Sequence, residues 1–157
     1  METKVIDKNW RYHWEKYIKA NPFSISWHGF DWNDLLQKHY SFKFFPIAAF
    51  DNSKICGILP LYLMETAKGK KILISVPYAP AGGIIADNDT TRSVLLEKAI
   101  DLYNHHNAQK LVLKQYKRKI PGELGVEQNY YNRELPLEKN IDILWNSISD
   151  YNRKKIQ

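Results

Sequence analysis

The chain has 157 residues, 23 Lys and Arg against 17 Asp and Glu (net charge +6), 44% hydrophobic and 13% aromatic residues. This length suits one domain of ordinary size, and the composition excludes a disordered chain. The single cysteine, Cys56, excludes an internal disulfide and a cysteine zinc cluster, and no run approaches the roughly 18 apolar residues of a membrane span.

Asp7 or Asn9 is placed to cap a first helix running to about Lys19. Its Trp10, Trp14, Tyr17 and Ile18 recur at i, i+4, i+7 and i+8 and share one stripe. Asn21-Pro22 ends it. A second helix is expected from Trp27 or Phe30 to His39, with Trp32, Leu35, Leu36 and His39 on one face. Phe42 to Phe50 reads as a strand, Asp51-Asn52-Ser53 as a turn, and Lys54 to Met64 as a second strand interrupted by Gly57 and Pro60. A turn through Gly69 leads to a third strand, Lys71 to Val76, which predicts an antiparallel meander.

Pro77 to Asn88 is a Pro/Gly-rich loop. Thr90 or Thr91 opens a helix to about His105, with Val94, Leu95, Ala99 and Leu102 inward. A strand from Lys110 to Tyr116, a break at Pro121-Gly122, a short strand from Asn132 to Leu137 and one amphipathic helix from Ile141 to Lys155 complete the pattern. That last helix meets no glycine cap or proline stop before Gln157, so a chain truncated at its C-terminus is the expectation.

Cys56 lies in the apolar run Ile55 to Leu59 and reads as a small buried hydrophobe. The five histidines form no His-x-x-x-His pair, so no metal site is expected. His28, beside Trp27, either lines a pocket or is a solvated or core-edge histidine. No Gly-x-Ser-x-Gly elbow supports a hydrolase. Tyr116, between Lys114 and Lys117, is the one hint of a nucleic-acid stacking platform. The positive charge favours anionic partners, whether nucleic acid, a phosphorylated small molecule or an anionic membrane face. Gly82-Gly83 followed by Asp87 is the most unusual local feature. The glycines permit a close backbone approach to a ligand, and a carboxylate can orient an ammonium group and accept its proton.

The order of elements, a meander followed by a loop, a helix and a further strand, is that of the GNAT (acyl-CoA N-acyltransferase-like) fold. This is an α+β class with a mixed, mostly antiparallel sheet flanked by helices. Four segments, taken in order, resemble the N-terminal half of FemAB-like peptidoglycan aminoacyltransferases. These are Pro22-Phe23-Ser24-Ile25-Ser26-Trp27 with Trp32 after it, Ile55-Cys56-Gly57-Ile58-Leu59-Pro60-Leu61, Val76-Pro77-Tyr78-Ala79-Pro80-Ala81-Gly82-Gly83-Ile84-Ile85-Ala86-Asp87, and Asn152-Arg153-Lys154-Lys155-Ile156.

The resemblance implies a single GNAT-like domain over residues 1–157 that is the first, acceptor-binding half of a two-domain enzyme. Its acceptor would be a small-molecule or lipid-linked cell-envelope precursor. The expected catalytic residue is Asp87, and the expected substrate contacts are Trp27, Tyr78, Gly82 and Gly83. No cofactor is expected in this half; an aminoacyl-tRNA or acyl-CoA donor would belong to the second domain. The location implied is cytoplasmic, or peripheral at the inner membrane face. Tyr78-Ala79-Pro80-Ala81-Gly82-Gly83 departs from the Gln/Arg-x-x-Gly-x-Gly/Ala loop that grips acetyl-CoA, and Pro80 removes a donor. A second glycine-bearing segment, Lys119 to Gly125, reads as a turn. A catalytically silent binding module and a stand-alone N-acetyltransferase with an atypical CoA loop are the rival readings.

Overall fold

The structure, a computed structural model, describes residues 1–115, 125 and 139–156. The chain divides into two units, Met1–Leu124 and Gly125–Gln157.

The first unit is built on strands β1 (Glu2–Val5), β2 (Lys43–Asp51), β3 (Lys54–Glu65), β4 (Lys71–Ser75), β5 (Ile85–Ala86) and β6 (Lys110–Val112). Its helices are α1 (Arg11–Ala20), α2 (Phe30–His39) and α3 (Asp89–His105). Strand order is β1-β2-β3-β4-β6, with β5 also on β3. All pairings are antiparallel except β4 with β6. This is the expected meander, enlarged by β1 at its edge and by β5 inside the Pro/Gly loop. Neither short strand carries the alternation that marks a strand in sequence.

Two prolines face each other in the middle of the sheet, Pro46 on β2 and Pro60 on β3. The Ile6 N–H donates to the Pro46 carbonyl at 2.9 Å, so the polar edge of Pro46 points toward β1. Pro46 and Pro60 are therefore a non-hydrogen-bonded pair, and no β2–β3 bond is lost. By the same geometry Pro60 turns its missing donor toward the β4 side. It falls between Leu61, paired with Ser75 of β4, and Ile58, paired with Ile85 of β5. Its ring thus marks the gap where pairing along that flank of β3 is interrupted.

Strands β2 and β3 read as almost continuous apolar runs because both faces of the sheet are covered. Phe45, Ile47, Ala49, Leu59 and Leu61 pack with Leu95, Leu96 and Ala99 of α3. Ala48, Phe50 and Ile58 pack on the opposite face with Trp14 and Ile18 of α1 and Phe30 of α2. Trp14 is fully buried and donates its indole N–H to the His28 carbonyl at 2.8 Å, tying α1 to the short 3-10 turn Ser26–His28. The Glu15 carboxylate accepts the Phe30 N–H at 2.7 Å and so caps α2, whose own N-cap, Gly29, has no side chain to do it.

Several expectations are corrected. The buried face of α2 is Phe30, Asn33 and Leu36, while Leu35 and His39 are exposed. The i, i+3, i+6 set won because Phe30 closes against Trp14 and Phe44 in edge-to-face contacts. Helix α3 is capped by Asn88, one or two residues before the expected start, and Val94 and Leu102 are only half-buried. Strand β6 ends at Val112 rather than continuing to Tyr116. The expected strand Asn132 to Leu137, the Pro121-Gly122 break, the Lys119 to Gly125 turn and Tyr116 lie outside the described residues, Gly125 excepted.

In the second unit the single expected helix is two, α4 (Ile141–Ser147) and α5 (Asp150–Ile156). Ile148 is extended, and the Ser149 carbonyl accepts from the Asn152 and Arg153 N–H groups at 2.9 Å each, which starts a fresh helix. No residue of either helix is buried.

Candidate functional site

β4 pairs with Leu61–Glu65 and β5 with Gly57–Ile58, so residues 76 to 84 leave the line of pairing along β3 and return to it. The excursion is held by bonds to its backbone. Trp32 Nε1 donates to the Pro77 carbonyl (3.3 Å), Lys114 Nζ to the Ala79 carbonyl (2.7 Å), and the Gly82 N–H to the Lys114 carbonyl (3.0 Å). The Gln115 side chain takes both backbone groups of Ile84, accepting from its N–H (2.9 Å) and donating to its carbonyl (3.0 Å). These ties hold Val76 and Tyr78 at φ 47° and 60°, a conformation a β-branched or bulky residue adopts only under constraint.

The excursion delivers Asp87 to the start of α3. The Asp87 N–H donates to the Cys56 carbonyl at 3.0 Å. Cys56 is the residue left over in a β-bulge, since Gly57 pairs with Ala49 and Ile55 with Phe50. The same carbonyl lies 3.0 Å from the Tyr17 hydroxyl, which also stands 2.8 Å from Asp87 Oδ1, and Asn21 Nδ2 donates to that hydroxyl at 3.4 Å. Burial, then the neighbouring Asp87, pushes the Tyr17 phenol far above its ordinary range, so it stays a donor. Tyr17, Ala20, Asn21, Pro22, Ile55 and Asp87 line an open groove of about 390 Å³. Asp87 is exposed at its rim.

A second, tighter cavity of about 10 Å³, room for a single water-sized group, lies among Phe23, His28, Gly83, Ala86, Arg92 and Gln115. His28 is 2% exposed. Its Nδ1 accepts the Ile25 N–H at 3.1 Å, which leaves Nε2–H to donate to the Gly83 carbonyl at 3.2 Å. Burial pushes its pKa below the ordinary value, and the neutral ring results. Of the two readings offered by sequence, His28 is a buried pocket wall.

The five sequence-named residues are dispersed. Asp87 lies on the groove. Trp27 is half-buried on the 3-10 turn and does not line it. Tyr78 is 61% exposed, its ring tilted 34° against that of Tyr40 with centroids 4.9 Å apart. A Cβ on Gly82, at φ 143°, would fall 2.4 Å from Val76 Cγ2, and one on Gly83 would fall 2.5 Å from Gln115 Oε1. A methyl at either glycine would meet the protein's own side chains, and Gly83 also borders the tight cavity described above. Tyr17 was named in sequence as a core position, and its hydroxyl at Asp87 had no local signal. The bond spans 70 residues.

No protein-family model and no curated protein matches the sequence. Among solved structures, FemX superposes with a TM-score of 0.64 at 17% identity, over 99% of this chain and 42% of FemX. A ribosomal-protein-alanine N-acetyltransferase from Brucella melitensis biovar Abortus 2308 gives 0.57 at 10% identity, over 87% of this chain and all (100%) of that one. An aminoglycoside acetyltransferase from an uncultured soil metagenomic sample gives 0.52 at 15% identity, over 88% and 100%. The chain has the GNAT fold. It spans less than half the length of FemX.

In a GNAT fold the helix after the fourth meander position is the natural seat for a pyrophosphate, through its free N–H groups. Here that helix is α3, and the Asn88 side chain already engages part of its first turn. Asn88 Oδ1 accepts the Thr91 N–H at 2.8 Å, the Asn88 carbonyl accepts the Arg92 N–H at 3.1 Å, and Asp87 and Asp89 flank the cap. Two carboxylates beside the helix start oppose a polyanion. The residues present do not fit the pyrophosphate of acyl-CoA at this position. Among the described residues no group of three or more His, Cys, Asp or Glu could hold a metal ion, and no helix is long and apolar enough to cross a membrane.

Proposed function

We propose that the chain is the acceptor-binding half of a FemAB-like acyltransferase, which transfers an acyl or aminoacyl group to an amine of a cell-envelope precursor. The observation that carries this reading is the Tyr17–Asp87 pair at the rim of an open groove. Tyr17 fixes Oδ1 of Asp87, leaving Oδ2 to receive an ammonium group. In the transfer step Asp87 takes one proton from the ammonium group and releases it to solvent, and the freed lone pair attacks the donor carbonyl carbon. The bond to the leaving oxygen or sulfur then breaks, and the second proton lost from the nitrogen passes to that leaving group. An aminoacyl-tRNA or acyl-CoA donor would be held by a second domain outside this chain, consistent with the acidic start of α3. The chain alone would bind acceptor without turnover, on the cytoplasmic side or peripherally at the inner membrane face.

Calorimetric titration tests this. A peptidoglycan precursor peptide with a free side-chain amine should bind, its N-acetylated form should bind at least tenfold more weakly, and Asp87→Asn should remove the difference. Equal binding of the two peptides sinks the reading. Clear thermal stabilisation by acetyl-CoA would favour a stand-alone N-acetyltransferase instead.

A further inference from the structure

The sheet of the first unit is polarised in charge along its strands. Lys43 opens β2, Lys71 opens β4 and Lys110 opens β6. The pairings of Lys43 with Leu63, Lys71 with Glu65 and Lys110 with Ile72 bring all three to the end where β3 finishes. The turn after β3 adds Lys68 and Lys70. It is held tight, the Thr66 N–H donating to the Lys70 carbonyl and the Gly69 N–H to the Thr66 carbonyl, both at 2.9 Å. Helix α3 ends here too: Gln109, just beyond it, donates its N–H to the Lys71 carbonyl at 2.9 Å. Burial, then the neighbouring Lys43, His105 and Lys71, lowers the pKa of His106, so both lysines and the helix end share one neighbourhood. Lys43, Lys68 and Lys70 are exposed and Lys71 is half-buried. Glu65 and Asp101 stand near this end, yet among the described residues no carboxylate forms an ion pair with any of these four lysines. At the opposite end β2 finishes at Asp51, and Asp87 and Asp89 flank the start of α3.

We propose that this basic end of the sheet is a docking face for a bilayer that carries anionic phospholipid headgroups. Three observations choose that partner. The full positive charges here are lysines, hydrated point charges on flexible stems, which suit diffuse attraction to a charged surface. The forks and helix N-termini that grip single phosphates of a nucleic acid are engaged elsewhere: Arg11 pairs with Asp31 and Asp34, Arg92 with Asp89, and α3 turns its C-terminus to this end. Aromatic rings adjoin the lysines. Tyr40 and Phe42 lead into Lys43, and Tyr40 is 43% exposed. The two rings stack with planes 4° apart and centroids 5.0 Å apart, giving faces to each other rather than to a base. At a bilayer surface a tyrosine needs only its edge and hydroxyl at headgroup level. Finally, neither cavity described above is lined by a residue of this end, so it offers a surface to an extended partner rather than a cleft to a small one. The Asp87 N–H is bonded at Cys56, and β3 runs from there to Glu65, about 30 Å at the usual rise of a strand. Docking by the basic end therefore leaves the Asp87 groove open to solvent. The docking face does not rest on the acyl-transfer reading.

The test is co-sedimentation of the full 157-residue chain with vesicles of phosphatidylcholine alone and of phosphatidylcholine with about one-third phosphatidylglycerol, beside binding to a single-stranded RNA. The chain should sediment with the phosphatidylglycerol vesicles and not with phosphatidylcholine, and added salt should release it. Lys43→Gln, Lys68→Gln and Lys70→Gln together should weaken this binding about a hundredfold, about fivefold for each lysine. Lys16→Gln, Lys19→Gln and Lys54→Gln remove the same charge from α1 and the start of β3 and should weaken it no more than about threefold. In the wild type, the amide resonances of Lys68, Gly69 and Lys70 should broaden first as phosphatidylglycerol vesicles are added, a readout that needs no variant. Absence of sedimentation with phosphatidylglycerol, equal loss in the two triple variants, broadening that spares the turn, or tighter binding to the RNA than to the vesicles overturns the proposal. Asp87→Asn should leave vesicle binding unchanged, so failure of the docking face and failure of the acceptor reading are told apart.

Discussion

The Tyr17 hydroxyl stands 2.8 Å from Asp87 Oδ1 and 3.0 Å from the Cys56 carbonyl, joining a helix, a bulge and a helix cap at one point. Tyr17→Phe removes this donor. The Cys56 carbonyl keeps the Asp87 N–H and Asp87 stays exposed, so the expected loss is about 1 kcal/mol in urea denaturation. The phenol pKa is raised on folding, so its contribution is whole below the unfolded value near pH 10 and declines as pH rises above it. Stability of the wild type should fall above about pH 10, and Tyr17→Phe should make that fall shallower. Tyr62, raised by its burial, keeps part of the slope in both proteins.

The two glycines of the excursion should resist even a methyl group. Gly82→Ala meets Val76 at 2.4 Å and cannot easily hold φ 143°; Gly83→Ala meets Gln115 Oε1 at 2.5 Å and its backbone N at 3.2 Å. Each is expected to cost about 2 kcal/mol or more in a denaturation midpoint series. Gly69→Ala, with nothing within 4 Å and only φ 72° to accommodate, should cost about 1 kcal/mol. Equal effects at all three positions would mean that the packing at Gly82 and Gly83 relaxes freely.

His28 makes stability pH-dependent on the acid side. Its folded pKa is lowered by burial, so the unfolded chain binds a proton first, below about pH 6.5. The contribution is present above that pH and shrinks as pH falls toward the folded value. His28→Gln should lose stability at pH 7 and show a weaker decline between pH 7 and pH 5 than the wild type, read from the Tm at each pH.

Asn88 holds the α3 cap through the Thr91 N–H (2.8 Å) and the Thr91 hydroxyl (3.0 Å). Asn88→Ala should cost about 1 kcal/mol, and Asn88→Ser should recover most of it. The amide exchange rate of Thr91 reports the same loss locally.

The meander and the helices that cover it were legible in the sequence because their apolar spacing is local and regular. Trp14 and Ile18, Leu95 and Ala99 fall where periodicity puts them. What sequence reasoning missed was long-range or short. β1 and β5 are recruited by the edges of β2 and β3, not by propensity of their own. The Ile148–Ser149 break in the last helix is a local capping event overridden, in a periodicity reading, by the surrounding apolar positions. At the site, Asp87 and the glycines stood out as residue types, but Tyr17 did not. A tyrosine on an apolar stripe carries no mark of a partner 70 residues away until the fold brings the two together.

The excursion from 76 to 84 is gripped by its main chain: Trp32, Lys114, Gln115 and His28 all bind its carbonyl or amide groups. Only Tyr78 and Pro80 project into solvent. Of these, Tyr78 is tied by its positive φ and its contact with Tyr40, so only Pro80 can be exchanged without disturbing the frame, whereas the grips, scattered over other segments, cannot. The outward side chain at Pro80 is thus open to mutational drift while the carriage that sets Asp87 in position stays put.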